Sequence, residues 1–168
     1  MTAKVFIDGE AGTTGLQIRD RLLGRSDIAL VQLDPALRKD PSARRDAFAS
    51  ADVAILCLPD DAARDAVALC DGLPVRIIDA STAYRVHPDW AYGFAELSPA
   101  HRARITSATR VSNPGCYPTG SLALIAPLVA AGLLAADAPL TINAVSGYSG
   151  GGKALIAEFE AGTAGAHF

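Results

Sequence analysis

The chain alternates short apolar runs with stretches in which apolar residues recur at helical spacing. Residues 4–7 read as a strand, and residues 16–23 as a helix that carries Leu16, Ile18, Leu22 and Leu23 and stops at Gly24. Residues 28–33 read as a second strand and residues 43–50 as a short helix or turn. The continuous apolar run 53–58 predicts a third, buried strand. A helix over 60–71 follows, its start marked by the acidic pair Asp60-Asp61. Strands are expected again over 75–79 and 109–112. Strands that alternate with helices, several of them apolar throughout, predict an α/β architecture with a doubly wound parallel sheet. Past Leu140 the pattern changes. Residues 141–146 alternate like a half-exposed strand of a different sheet, and residues 153–160 look helical. The expected organisation is a dinucleotide-binding domain over 1–116, then the first part of an α+β substrate domain over 117–168, left incomplete by what reads as a truncation.

Composition narrows the class. Half of the 168 residues are hydrophobic and a fifth are charged, as in a globular protein with a substantial core. The net charge of −3 gives no support for nucleic-acid or anionic-membrane binding. Three cysteines without paired spacing argue against a disulfide framework or a metal site, and fit a reducing cytoplasm. The N-terminus runs straight into a strand pattern, without a signal-peptide layout. Residues 119–136 hold no charge and approach the length of a membrane span. Pro127 and Gly132 interrupt them, however, and a helix apolar all round is also what a buried interface helix looks like.

Two short stretches carry chemistry. Gly9, Gly12 and Gly15 form G-x-x-G-x-x-G between the first strand and the first helix, with Thr13 and Thr14 as hydroxyl donors. Glycines let a pyrophosphate approach the backbone, and the helix N-terminus supplies N–H groups. The spacing is not the usual G-x-G-x-x-G, and a plain strand-to-helix turn also uses such glycines. After the second strand, Asp34 suits ribose hydroxyls, whereas Arg38 and Lys39 suit a 2′-phosphate. The other stretch is Ser112-Asn113-Pro114-Gly115-Cys116-Tyr117-Pro118-Thr119-Gly120. An Asn-Pro-Gly turn precedes Cys116, and Pro118 suits the first turn of the helix that follows. A cysteine at a helix N-terminus is placed to act as a thiolate nucleophile toward an acyl carbon. Cys57 and Cys70 read as core residues, the first at the end of an apolar strand and the second in step with Ala63, Ala66 and Val67.

Together these runs resemble the N-acetyl-γ-glutamyl-phosphate reductase family in its shorter bacterial form. The resemblance rests on residues 6–15, 55–61, 78–85 and 90–97, on the Cys116 run, and on Val145-Ser146-Gly147-Tyr148-Ser149-Gly150-Gly151-Gly152-Lys153. It implies a Rossmann-like cofactor domain and NADPH-dependent reduction of an acyl phosphate to an aldehyde in arginine biosynthesis. Cys116 would form a thioester, and the cofactor would lie against Gly9, Gly12, Thr13, Thr14, Gly15, Arg38, Cys57, Leu58, Pro59 and Ser81. Substrate contacts fall on Asn113, Ser146, Gly147 and Tyr148, with Arg85 and Lys153 for an anionic group. The resemblance also implies a homo-oligomer at full length, and a catalytic His further downstream than His167. His87 and His101 read as surface residues. Alternatives are an aspartate-semialdehyde dehydrogenase-like reductase of another acyl phosphate, or a nucleotide-binding regulatory module with an inert cysteine.

Overall fold

The computed structural model describes residues 2–145, 147–163 and 165. It divides into two units, residues 1–136 and 137–168. The first is built on six strands: β1 (Ala3–Asp8), β2 (Ile28–Val31), β3 (Val53–Leu56), β4 (Arg76–Asp79), β5 (Ala91–Tyr92) and β6 (Arg110–Ser112). They lie in the order β2-β1-β3-β4-β6-β5, and every pairing is parallel. Parallel neighbours need crossovers, and helices α1 (Thr13–Leu23), α2 (Pro41–Ser50), α3 (Asp60–Leu69) and α4 (Pro99–Ser107) supply them. Helix α5 (Cys116–Ala130) leaves the end of β6. This is the doubly wound α/β sheet that the sequence predicts.

One sheet face carries the main hydrophobic cluster. Phe6, Ala54, Leu56 and Ile77 pack there against Ala47 and Phe48 of α2 and Ala66 of α3, with Cys70 and Val75 beside them. Phe6 and Phe48 meet edge to face with ring centroids 5.1 Å apart. Tyr84 and Trp90 extend this core as a stacked pair. At the end of β1 the half-buried Arg44 of α2 donates to the buried Asp8 at 2.7 Å, so the carboxylate beneath the glycine loop is paired.

Helix starts follow local chemistry. Asp40 caps α2 by accepting from the Ala43 N–H at 2.8 Å, and Pro41 takes the first helical position. Ser98 and Pro99 do the same for α4. The residue before α3 is Pro59, with Asp60 and Asp61 in the first turn. Helix α5 keeps Pro127 inside it and leaves Leu124 and Leu128 exposed. No helix among the described residues is long and apolar enough to cross a membrane.

The second unit carries a 3-10 turn (Tyr148–Gly151) and helix α6 (Gly152–Glu160), with the Tyr148 and Phe159 rings stacked 5.2 Å apart. The strand expected over 141–146 does not form: residues 141–145 are irregular and exposed, and Ser146 lies outside the described residues. A strand needs a neighbour to satisfy its backbone, and among the described residues none pairs with this segment. The third strand also ends earlier than expected, at Leu56 rather than Leu58.

Candidate active site

Parallel strands bring the functional loops to one edge. Four of those loops, after β1, β3, β4 and β6, enclose a cavity of about 440 Å³ lined by Thr14, Cys57, Leu58, Ala80, Arg85, Asn113, Pro114, Gly115 and Cys116. In open α/β sheets ligands bind at the carboxyl ends of strands, where the strand order reverses. Here the reversal falls between β1 and β3. The glycine loop and the Cys57-Leu58 segment flank that point.

The glycine loop is tight. Gly9 has φ of +90°, and a Cβ there would collide with the Cys57 carbonyl, so only glycine lets the two loops close on each other. Gly12 donates to the Gly9 carbonyl at 2.9 Å and is the N-cap of α1, with no side chain capping it. The first-turn N–H groups of an α-helix lack intrahelical acceptors. Those donors and the close backbone fit a dinucleotide pyrophosphate. Gly15 is buried in the first turn, and Thr14 reaches the cavity. The Thr13 side chain lies outside the described residues.

Cys57 departs from its expected place in the core. It is half-buried in the cavity wall, because the β3 ladder ends at Leu56 and the chain turns there. Burial, with the Asp79 and Asp8 carboxylates adding, pushes its thiol up to about 11. Leu58 lines the cavity beside it, and the exposed Pro59 starts α3. Ser81 is buried and donates to Asp79 Oδ2 at 2.6 Å. Arg38 and Lys39 are exposed in the turn after β2, and the Asp34 carboxylate accepts from the Ala36 N–H at 2.8 Å.

Cys116 is exposed and is the first residue of α5, after Gly115 as N-cap. Gly115 offers no side chain to cap this first turn. Arg85 approaches the same point. Its Nε donates to the Asn113 carbonyl and its Nη2 to the Ala80 carbonyl, each at 3.2 Å. A Cβ added to Gly115 would lie 2.8 Å from Arg85 Nη1. One cationic group therefore ties the loop after β4 to the turn before Cys116.

The structure thus brings Thr14, Cys57, Leu58, Arg85, Asn113 and Cys116 to one cavity. Gly147 and Tyr148 belong to the second unit. Ser146, His167 and the Lys153 side chain lie outside the described residues. His87 and His101 are exposed. Among the described residues no cluster of His, Cys, Asp or Glu could hold a metal ion. Asp79 carries no expected role from the sequence, and Asp60 only that of marking a helix start, yet both hold the loop after β4. Asp60 accepts from the N–H of Thr82 at 2.9 Å and from its hydroxyl, and that hydroxyl bond first of all holds the Asp60 carboxyl below the usual range. For Asp79 the signal is an Asp closing the strand run Val75-Arg76-Ile77-Ile78-Asp79.

Comparison with known proteins agrees with this geometry. A family model described as semialdehyde dehydrogenase, NAD binding domain, matches residues 26–105. A second, semialdehyde dehydrogenase, dimerisation domain, matches residues 116–167. The solved structure of aspartate semialdehyde dehydrogenase from Francisella tularensis shares the fold, with a TM-score of 0.67 at 18% identity over 95% of this chain and 48% of that one. Aspartate semialdehyde dehydrogenase with NADP from Candida albicans superposes with a TM-score of 0.57 at 17% identity, over 78% of this chain and 48% of that one. Both matched models describe domains of semialdehyde dehydrogenases, and it is to that class that this chain is similar. Within it, the chain is homologous to N-acetyl-γ-glutamyl-phosphate reductases. It is 60% identical over 161 residues to those of Brucella ovis and Brucella canis, which covers 95% of this chain. The chain spans about half the length of these curated relatives, 52% of each.

Proposed function

We propose that this chain supplies the cofactor site and the nucleophile of an NADP(H)-dependent reductase of N-acetyl-γ-glutamyl phosphate, acting in arginine biosynthesis. The observation that carries the reading is a cavity lined both by the exposed Cys116 and by Thr14, beside the glycine loop. The 60% identity to the Brucella reductases supports the choice of substrate. In this reading residues 1–116 form the cofactor domain, and the chain from 117 begins the substrate domain.

Cys116 Sγ attacks the acyl carbon, a carbon–sulfur bond forms, and the carbon–oxygen bond to phosphate breaks. The Arg85 guanidinium balances charge on the anionic substrate. Asn113 holds the turn, and Gly147 and Tyr148, with Ser146 and Lys153, are the further substrate contacts. Gly9, Gly12, Thr13, Thr14 and Gly15 would hold the pyrophosphate, Cys57, Leu58, Pro59 and Ser81 would hold the rest of the cofactor, and Arg38 would pair with a 2′-phosphate. The nicotinamide, when bound, supplies the hydride that turns the thioester into an aldehyde and frees the thiolate. The full-length protein acts in the cytoplasm as a homo-oligomer.

The test is NADPH oxidation by the full-length protein, with N-acetyl-γ-glutamyl phosphate and aspartyl phosphate offered separately. Turnover of the first at least about tenfold more efficient in kcat/KM is expected, a difference of about 1.4 kcal/mol in transition-state binding. Preference for aspartyl phosphate would overturn the substrate, and no turnover of either would leave a nucleotide-binding module.

A further inference from the structure

Asp79 ends β4 in the middle of the sheet, and its side chain has no solvent exposure. Buried carboxyls are ordinarily held by a cation or by several donors. This one accepts a single side-chain hydrogen bond, from Ser81 Oγ at 2.6 Å, and its Oδ1 has no partner among the described residues. Its connections all lead toward the cavity. Ser81 Oγ accepts from the Ala83 N–H at 3.1 Å, which folds the 80–85 loop back on itself. The Asp79 carbonyl accepts from the Asn113 N–H at 2.7 Å, which fixes the turn before Cys116. Arg85 then closes the circuit by donating to Ala80 and Asn113.

We propose that Asp79 is a positioning residue: its buried carboxyl, through Ser81, fixes the 80–85 loop so that the Arg85 guanidinium stands at the N-terminus of α5, where Cys116 reacts. The proposal rests on the reading of Cys116 as the nucleophile. Asp79 does not touch the cavity itself, since Ala80 and Arg85 are the lining residues of its loop. The charged and titratable groups around it are Asp60 of α3, Arg85 and Tyr84 of its own loop, and Cys57 beyond β3. Burial raises the Asp79 carboxyl above the usual range and Asp60 adds to that, while the Ser81 bonds and Arg85 oppose it. A folded carboxyl that keeps its proton to higher pH than an unfolded one stabilises the fold most below the ordinary Asp range. That contribution is lost as pH rises through the raised folded value.

The experiment compares two alkylating reagents at Cys116 in the full-length protein. Iodoacetate is anionic and iodoacetamide neutral, so their rate ratio, referred to glutathione, reads the positive charge held beside the sulfur. Asp79→Ala and Ser81→Ala are each expected to lower the ratio by about threefold or more, as Arg85→Gln does directly. Asp79→Asn keeps an acceptor for Ser81 and is expected to retain the ratio within about twofold. It should also gain stability relative to the parent as pH rises above the ordinary Asp range, because it has no charge to bury. A ratio unchanged in Ser81→Ala, or unaltered by Arg85→Gln, would overturn the proposal, as would loss of the ratio in folded Asp79→Asn. If Asp79→Ala does not fold, Ser81→Ala decides. Labelling requires no turnover, so a failed reductase assay and a failed positioning role give different results.

Discussion

Brief iodoacetamide treatment of the full-length protein at pH 7.5 is expected to label Cys116 at least about a hundredfold faster than Cys57 or Cys70. Only the thiolate reacts, and burial pushes both Cys57 and Cys70 up to about 11. At pH 7.5 that leaves about 3 thiolates in 10,000 at each of them. Access works in the same direction: Cys70 is fully buried and Cys57 half-buried, whereas Cys116 is exposed at the start of α5. Peptide mapping by mass spectrometry after graded exposure would give the three rates. Faster labelling of Cys57, which shares the cavity, would move the nucleophile to the loop after β3. The same chemistry predicts that Cys116→Ser loses reductase turnover to background while NADPH binding, followed by fluorescence, stays within about twofold of the parent. A serine hydroxyl at that position lacks the ionised form that attacks.

The second large effect is expected at Gly9. Gly9→Ala puts a Cβ into the Cys57 carbonyl at a residue whose φ is +90°. Left-handed strain alone costs about 1–3 kcal/mol, and the collision involves backbone on both sides, so neither partner can rotate away. The strands beneath are held together by the Cys57 N–H donating to the Asp8 carbonyl at 2.7 Å, and separating them would break that bond. Urea unfolding should therefore show a loss of about 2–4 kcal/mol, with dinucleotide affinity reduced about tenfold or more. Gly24→Ala is the control. Gly24 has negative φ and nothing within 4 Å of a Cβ, so a change within about 0.5 kcal/mol is expected there. A Gly9→Ala protein as stable as the Gly24→Ala one would show that the loop can open without cost.

The strands β2 and β3 were legible because each is an apolar run bounded by a turn, and Cys116 fell where its sequence neighbours place a helix start. Helix α4 was not anticipated. Its residues Pro99-Ala100-His101-Arg102-Ala103-Arg104-Ile105-Thr106-Ser107 form no apolar stripe and none is buried, so its visible signal is the Ser98-Pro99 start. The two-residue β5 is too short for any period to show. The alternation over 141–146 misled for the opposite reason, since a period of two describes a strand only where a neighbour accepts it. The polar framework of the site was the least legible part. Arg44 and Asp8 are 36 residues apart, and Asp60 and Thr82 are 22 apart. Only the folded sheet makes neighbours of them.

That same wide separation has a kinetic meaning. The cavity wall is drawn from loops that follow β1, β3, β4 and β6, so it has no local precursor in the chain. Parallel pairing across long loops closes slowly, because chain entropy is lost before contacts repay it. The selective reactivity of Cys116 is thus a property that a nascent chain acquires only after β6 has docked beside β4. An unfinished sheet would present three cysteines of nearly equal reactivity, and the emergence of a single fast thiol would time the completion of folding.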